Sequence, residues 1–352
     1  MTSADTLMGI TWAGMTAYVI LGGADFGGGF WDLAAGGTRR GADQRRLIER
    51  VIGPVWEANH VWLIFVIVVL WTAFPAVFAA VFSTMYLPLT GAAVGIILRG
   101  AGFAFRKSVE ELPLQRLFGV TFATSSILTP FLLGTVAGGI ASGRVPLGNA
   151  TGDLIHSWVN PTSILGGTMA VVVCAYLAAV FLTADAARYS TPRLVEAFRI
   201  RALGAAAVAG ALALAGIAVL RKDAPTLYQG LTGGAAWLVL LSVIAGVAAV
   251  VFLVLRRFWP ARVASVLAVM SILWGWAVAQ YPYMLAGQIT IQEAAAHPAT
   301  LDAMLVSLTV GAILLVPSMV LLFVMFQRTA PGDGAGDDVT PQLPADLDRP
   351  PA

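Results

Sequence analysis

Long apolar stretches recur along the whole chain, and short segments that carry most of its charges separate them. A helix needs about 20 mostly apolar residues to cross the hydrocarbon core of a bilayer. Strands are disfavoured, because the stretches are too long and lack an alternation of period two. The pattern predicts an all-α integral membrane protein with about nine transmembrane helices, at residues 7–33, 55–74, 78–98, 117–140, 161–184, 202–220, 235–255, 263–285 and 304–326.

Composition agrees with this assignment and excludes one class of partner. Hydrophobic residues make up 58% of the chain and charged residues 11%, far from the balance of a soluble domain. The net charge of +2 is explained by the basic loops between the spans, so it indicates no nucleic-acid partner. Residues 329–352 are rich in Pro, Gly and Asp, which predicts a disordered cytoplasmic tail.

The basic residues are divided unevenly between the two sides of the predicted membrane domain. Only Arg144, Arg221 and Lys222 fall on one side, whereas the other 18 of the 21 Lys and Arg residues fall on the opposite side. Cytoplasmic loops carry the excess of Lys and Arg in membrane proteins. We therefore expect the N-terminus outside and the C-terminus in the cytoplasm.

Two segments place carboxylates inside predicted spans. They are Gly22–Asp32 (GGADFGGGFWD), which contains Asp25, and Gly53–Trp62 (GPVWEANHVW), which contains Glu57. A charged side chain in mid-bilayer costs about 2.5–3.5 kcal/mol on insertion scales, so such residues usually face a protein interior or a water-filled path. Asp25 and Glu57 are therefore the first candidates for a function, and proton movement is the chemistry that suits them.

Helical spacing adds two further titratable residues to these carboxylates, so that the four form a candidate series for proton transfer. Asp32 lies two turns from Asp25 on the same face of span 1, and His60 lies one turn from Glu57 on span 2. With the predicted orientation, all four lie in the cytoplasmic half of two antiparallel neighbours. A structural alternative stays open, because the glycines around Asp25 allow close helix contacts that bury it. His60 can equally be a core histidine whose ring nitrogens are hydrogen-bonded within the protein.

The same two segments carry a family resemblance. Asp25–Gly29 (DFGGG) and Gly53–Ile64 (GPVWEANHVWLI) resemble segments of subunit II of the cytochrome bd-type quinol oxidases. The stretch Arg99–Phe105 with the charged loop after it is also similar. So are the Asn160–Pro161 entry to span 5 and the Tyr281–Pro282 pair in span 8.

The resemblance extends over residues 1–328 and implies a fold and a function. The family fold is two four-helix bundles plus one peripheral helix, so we expect a first bundle at 1–140, a second at 141–285 and the peripheral helix at 286–328. Family members pair with a haem-bearing subunit I in the bacterial cytoplasmic membrane, oxidise quinol and reduce O2 to water. Subunit I carries haem b and haem d, whereas subunit II supports it and supplies a cytoplasmic proton path.

Individual roles carry over by position. Asp25 and Glu57 match acids of the family's proton path, although the enterobacterial branch has aspartate in place of Glu57. That branch has a neutral polar residue in place of His60, which makes His60 a candidate proton relay in this chain. It also has an acidic residue in place of Ala104.

The resemblance also implies cofactors and partners. Trp56 and Arg99 are candidates for quinone or subunit-interface contacts, because some family members hold a structural quinone in subunit II. A small single-helix subunit, quinol and membrane lipid are further expected partners. No metal site and no haem ligand are expected on this chain.

Two other classes of function remain open. A polytopic secondary transporter also combines many helices with buried acids. A purely structural partner subunit would use Asp25 and Glu57 only for assembly.

Overall fold

The structure, a computed structural model, describes residues 2–36, 41–109, 111–189 and 192–328. The side chains of residues 52–58 and of a few other helical positions lie outside this description, as does the expected disordered tail at 329–352. The described elements are α1 (Ser3–Leu33), α2 (Ala42–Ala73), α3 (Pro75–Thr84), α4 (Tyr86–Ser108), α5 (Leu112–Ala141), α6 (Pro161–Tyr189), α7 (Pro192–Asp223), α8 (Pro225–Thr232), α9 (Ala236–Val254), α10 (Phe258–Gln280), β1 (Tyr283–Leu285), β2 (Ile289–Thr290), α11 (Ile291–Ala294) and α12 (Pro298–Arg328).

The predicted all-α membrane fold is confirmed. Among the described residues, eight helices are long and apolar enough to cross a membrane, and a ninth span results when Asn59–Ala73 and Pro75–Thr84 are counted as one. The chain bends by 119° between these last two segments. Pro75 lacks the N–H that would continue α2 and instead occupies the first position of α3, which explains the break.

Two helices begin well before the spans predicted from hydropathy. The span expected at 55–74 belongs to α2, which starts at Ala42, and the span expected at 202–220 belongs to α7, which starts at Pro192. The added turns are rich in Arg, Glu, Gln and Leu, which are good helix formers but are too polar to count as membrane-spanning. Hydropathy locates the apolar part of such a helix and misses its charged extension.

The span expected at 78–98 is wrong at its start. Helix α3 ends at Thr84, Met85 interrupts the helical geometry, and α4 runs from Tyr86 to Ser108. Pro88 lies in the first turn of α4 and has no N–H to bond to the carbonyl of Thr84, which favours an interruption of the helix at this point. The residues on both sides are equally apolar, and hydropathy therefore does not detect the break.

The span expected at 263–285 is displaced towards the N-terminus. Helix α10 covers Phe258–Gln280, and Tyr283–Leu285 forms an antiparallel ladder with Ile289–Thr290. Pro282 has no backbone N–H and disfavours helical geometry in the residue before it, which ends the helix.

Helix α1 is the central element of the described fold. It packs against α2, α5 and α6, and α6 in turn packs against α5, α7 and α10. Residues 2–301 form one compact unit, and residues 302–328, the greater part of α12, form a second unit. Within the first unit, the end of the helices near the α1–α2 connection is called the α1–α2 end below. The domain boundaries expected at 140 and 285 stay predictions.

At the other end of the helices, one carboxylate joins α7 to α6 and to Arg144, which lies three residues after the end of α5. Asp223, the last residue of α7, accepts hydrogen bonds from Arg144 Nη2 at 2.5 Å and Nη1 at 3.1 Å. It also accepts from the backbone N–H of Thr162 at 3.0 Å and from its hydroxyl at 2.6 Å. Because Thr162 is the second residue of α6, the carboxylate satisfies a backbone donor that the helix itself leaves unpaired.

Candidate functional site

The interior of the first unit contains a buried ion pair between Asp25 on α1 and Arg99 on α4. Arg99 Nη2 lies 2.6 Å from Asp25 Oδ1, and Arg99 Nη1 lies 3.0 Å from Oδ2. Nη2 also donates to the Asp25 carbonyl oxygen at 3.1 Å. The exposed fraction is 0% for Asp25 and 1% for Arg99. This two-pronged geometry is the strongest form of guanidinium–carboxylate contact.

Neighbouring side chains complete the surroundings of the guanidinium. Arg99 Nε donates to Ser126 Oγ on α5 at 2.9 Å. The rings of Phe26 and Phe122 each lie 4.9 Å from the guanidinium carbon, at a distance suited to cation–π attraction. Gly29 makes this approach of α1 and α5 possible, because a Cβ at this position would clash with Ser126 Oγ.

Asn59 on α2 lies on the other side of the carboxylate. Its Nδ2 is 3.5 Å from Asp25 Oδ2, at the limit of a hydrogen bond, and the residue is fully buried. Its Oδ1 has no hydrogen-bond partner in the described part of the chain. The amide packs against Gly22, where a Cβ would lie 3.0 Å from both amide atoms. Asp25 thus has polar neighbours from α2 and α4.

A second acid–base cluster surrounds Asp32 at the α1–α2 end. Asp32 is 5% exposed, and its oxygens lie 3.1 Å from Arg45 Nε and 2.8 Å from Arg106 Nη1. Arg106 Nη2 is also 3.4 Å from Glu49. Asp32 and Asp25 are seven residues apart on one face of α1, which separates them by about 10 Å along the helix axis.

The structure places the remaining predicted site residues on α2. His60 is half-buried there. Glu57 and Trp56 belong to the same helix, but their side chains lie outside the described part of the structure. Arg99 is the residue for which a quinone or subunit contact was expected. Its guanidinium donates hydrogen bonds to Asp25 and to Ser126.

The sequence interpretation missed the partners of Asp25. Arg99 was counted as a loop residue, because the predicted span ended at residue 98, whereas α4 continues for ten residues beyond it to Ser108. A signal was available, since a carboxylate within the membrane requires a compensating group and Arg99 directly follows a span. Ser126 and Asn59 carried no such signal, because a Ser or Asn in an apolar helix has many structural uses.

These features define a polytopic helical membrane protein that holds paired charges deep within its membrane domain. A family model described as cytochrome bd terminal oxidase subunit II matches residues 4–326, nearly the whole chain. The chain therefore belongs to the family of cytochrome bd oxidase subunits II, which are membrane components of respiratory quinol oxidases.

Individual relatives agree with this family. A protein of Bacillus subtilis described as a cytochrome bd menaquinol oxidase subunit II is 23% identical over 93% of this chain and 96% of its own length. Cytochrome bd-I ubiquinol oxidase subunit 2 of Escherichia coli K12 is 27% identical, over 58% of this chain and 54% of its own length. The chain thus spans about half the length of some curated relatives and nearly all of another.

A solved structure gives the same result at the level of the fold. A chain of the bd oxidase from Geobacillus thermodenitrificans superposes with a TM-score of 0.75 at 25% sequence identity, covering 94% of this chain and all of that one.

Proposed function

We propose that this chain is subunit II of a membrane quinol oxidase complex that reduces O2 to water. In this proposal it supports a haem-bearing subunit I and supplies a cytoplasmic proton path to the oxygen site, with Asp25 and Glu57 as acids and His60 as a relay. The printed names of the relatives, which are ubiquinol and menaquinol oxidase subunits, support the quinol-oxidising part. Family membership does not favour a secondary transporter.

The complex is proposed to lie in the bacterial cytoplasmic membrane, with the N-terminus outside and the C-terminus inside. Haem b and haem d, which supply the redox chemistry when bound, belong to the partner subunit. Quinol and membrane lipid complete the set of partners. A structural quinone in this subunit and a small single-helix subunit are further components expected from the family.

One observation carries the proton path. Two carboxylates, Asp32 and Asp25, lie buried on one face of α1 and lead from the α1–α2 end into the interior. Glu57 is two residues from Asn59, whose amide reaches the Asp25 carboxylate. Polar groups at these depths are costly in an apolar medium and are usually retained for a function.

The same geometry also favours a second candidate role for Asp25. Because Arg99 compensates its charge, Asp25 can serve as an assembly anchor that joins α1 to α4. Glu57 therefore provides the cleaner test of proton delivery.

The test is made in the purified two-subunit complex. Glu57→Gln keeps the size and hydrogen bonding of the side chain but removes the exchangeable proton, whereas Glu57→Asp keeps the acid and controls for a shorter reach. We expect normal haem spectra in both variants and a quinol-driven O2 uptake that falls about 10²-fold or more only in Glu57→Gln. Full turnover of Glu57→Gln would contradict the proton path and leave the subunit a scaffold.

A further inference from the structure

Arg201 of α7 is half-buried at the α1–α2 end and forms no ion pair with any described residue. Its guanidinium carbon lies 5.3 Å from the centre of the Trp31 ring on α1 and 5.1 Å from that of the Phe198 ring on α7. The faces of aromatic rings attract a cation, but they do not neutralise its charge. A charged group at the boundary of an apolar medium is costly without a compensating charge. Arg201 therefore needs an anion.

The described acids of α1, α2, α6 and α7 at this end all pair with other arginines. The pairs are Asp32 with Arg45 and Arg106, Asp43 with Arg46, Glu49 with Arg106, Asp185 with Arg262, and Glu196 with Arg199 and Arg256. None of these carboxylates reaches Arg201. The anion is therefore expected to come from outside the described part of the chain.

Positive charge is also in excess around Arg201. Residues 185–201 and 256–262, which form the neighbouring ends of α6, α7, α9 and α10, contain seven arginines and only two acids, Asp185 and Glu196. Basic pockets between transmembrane helices on the cytoplasmic side are typical binding places for anionic lipid headgroups. The charge at this end thus suits an anionic headgroup.

The apolar length of α7 beyond Arg201 is open to its surroundings. Only 6% of its membrane-spanning stretch is buried within the protein, and Val208, Leu214 and Ile217 are exposed along it. Trp259, at the start of α10, is 73% exposed. Exposed tryptophans are typical of the membrane–water interface, and the exposed apolar side chains suit contact with acyl chains. The surroundings of Arg201 therefore combine the chemistry of a headgroup site with that of an acyl-chain surface.

We propose that Arg201 is the centre of a binding site for the phosphate group of an anionic phospholipid. The lipid belongs to the leaflet at the α1–α2 end, which is the cytoplasmic leaflet in the expected orientation. The planar guanidinium matches the oxygens of a phosphate group, and the neighbouring arginines favour a headgroup with a net negative charge. The acyl chains lie against α7. This inference goes beyond the proposed proton path and does not depend on it.

Three variants of the purified two-subunit complex, delipidated in a neutral detergent, provide the test. Arg201→Gln removes the charge at the proposed site. Arg257→Gln is the matched control, because Arg257 is exposed at the same end, forms no ion pair among the described residues, and its loss changes the net charge equally. Arg201→Lys keeps the charge but loses the planar pair of donors.

Native mass spectrometry at rising concentrations of phosphatidylglycerol measures lipid binding, and thermal unfolding is measured on the same preparations. We expect saturable binding and a higher unfolding temperature with this lipid in the unmodified complex and in Arg257→Gln. Arg201→Gln should weaken the tightest binding about tenfold or more, as expected for the loss of a hydrogen bond to a charged group. Arg201→Lys should weaken it to a smaller extent. Phosphatidylcholine should bind less tightly, and inorganic phosphate should not displace phosphatidylglycerol.

Other results contradict the lipid site. Equal weakening in Arg201→Gln and Arg257→Gln indicates diffuse attraction to a basic surface. Equally tight binding of phosphatidylcholine, or displacement by inorganic phosphate, contradicts the choice of an anionic lipid. If a carboxylate of the partner subunit pairs with Arg201 instead, Arg201→Gln lowers the unfolding temperature of the lipid-free complex and leaves phosphatidylglycerol binding unchanged.

Arg201→Lys decides the test if Arg201→Gln does not assemble. Weaker lipid binding than in Arg257→Gln then supports the site, and unchanged binding contradicts it. None of these measurements uses turnover, so they remain valid whether or not the proton path is correct.

Discussion

Gly27 of α1 lies directly against the backbone carbonyl of Cys174 on α6, and a Cβ at position 27 would overlap that carbonyl oxygen and contact the Cβ of Ala178 at 2.6 Å. Two backbones this close cannot yield by a side-chain rotation. This contact joins α1 to α6, the two helices against which α2, α5, α7 and α10 pack.

Gly27→Ala is therefore expected to destabilise the complex by about 1–3 kcal/mol or more, the usual cost of overpacking. Gly9→Ala on the same helix is the control, because a Cβ there meets nothing within 4 Å. Thermal unfolding of the two variants in the membrane-extracted complex measures the difference. Equal stability would contradict the close approach of α1 and α6.

The buried ion pair predicts a non-additive pair of substitutions. Arg99→Gln leaves the Asp25 carboxylate buried without its partner, and removal of one member of such a pair costs about 3–5 kcal/mol. The double variant Asp25→Asn with Arg99→Gln removes both charges and should recover most of this loss. Thermal unfolding of the complex checks the prediction, and a double variant no more stable than Arg99→Gln would contradict it.

This prediction affects how an Asp25 variant is interpreted. Asp25→Asn alone leaves Arg99 uncompensated, so its loss of turnover would combine a structural and a chemical effect. The double variant separates them: if it assembles with normal haem spectra and still turns over slowly, the loss reflects the missing acid.

The Asp223 contacts predict a measurable role in stability. Asp223→Ala removes four hydrogen bonds that join α7 to α6 and to the segment after α5, two of them to the charged guanidinium of Arg144. We expect a loss of about 1.5–3 kcal/mol, the range for hydrogen bonds to charged groups. Asp43→Ala is the matched control, because its pair with Arg46 is exposed at the surface and such pairs contribute little. Similar unfolding temperatures in the two variants would contradict the expected role of Asp223.

The proposal assigns haem b and haem d to subunit I, and it therefore predicts that this chain binds no haem on its own. Expressed and purified alone, this subunit should show no haem absorbance and no quinol oxidase activity, because the proposal assigns the axial ligands to subunit I. Absorbance spectra of the isolated chain measure this directly. Stoichiometric haem in that preparation would contradict the assignment.

The expected orientation is tested with topology reporters. A reporter fused after Arg328 should report a cytoplasmic position, and one inserted near Gly148 should report an external position, as the distribution of basic residues predicts. The opposite pattern would reverse the direction of proton entry that the proposal assigns.

The sequence predicted the membrane fold because burial in lipid imposes long apolar stretches, which are visible without any tertiary information. It located the interior position of Asp25 for the same reason, since a carboxylate is conspicuous among apolar neighbours. Its pairing with Arg99 was missed, because the predicted span ended one residue before Arg99 and the two residues lie 74 positions apart along the chain. Ser126, which accepts a hydrogen bond from Arg99, lies on yet another helix and carried no signal of this role. The breaks at Met85 and Gln280 were missed, because proline geometry determines them and hydropathy does not.

The distance along the chain between Asp25 and Arg99 has a consequence for biogenesis. Helix α1 is synthesised and offered to the membrane 74 residues before its counter-charge exists. Until α4 emerges from the ribosome, the carboxylate of Asp25 has no guanidinium to neutralise it, and a lipid-exposed position would be costly. The first three membrane segments therefore have a reason to remain together at the insertion machinery until Arg99 on α4 is available to pair with Asp25.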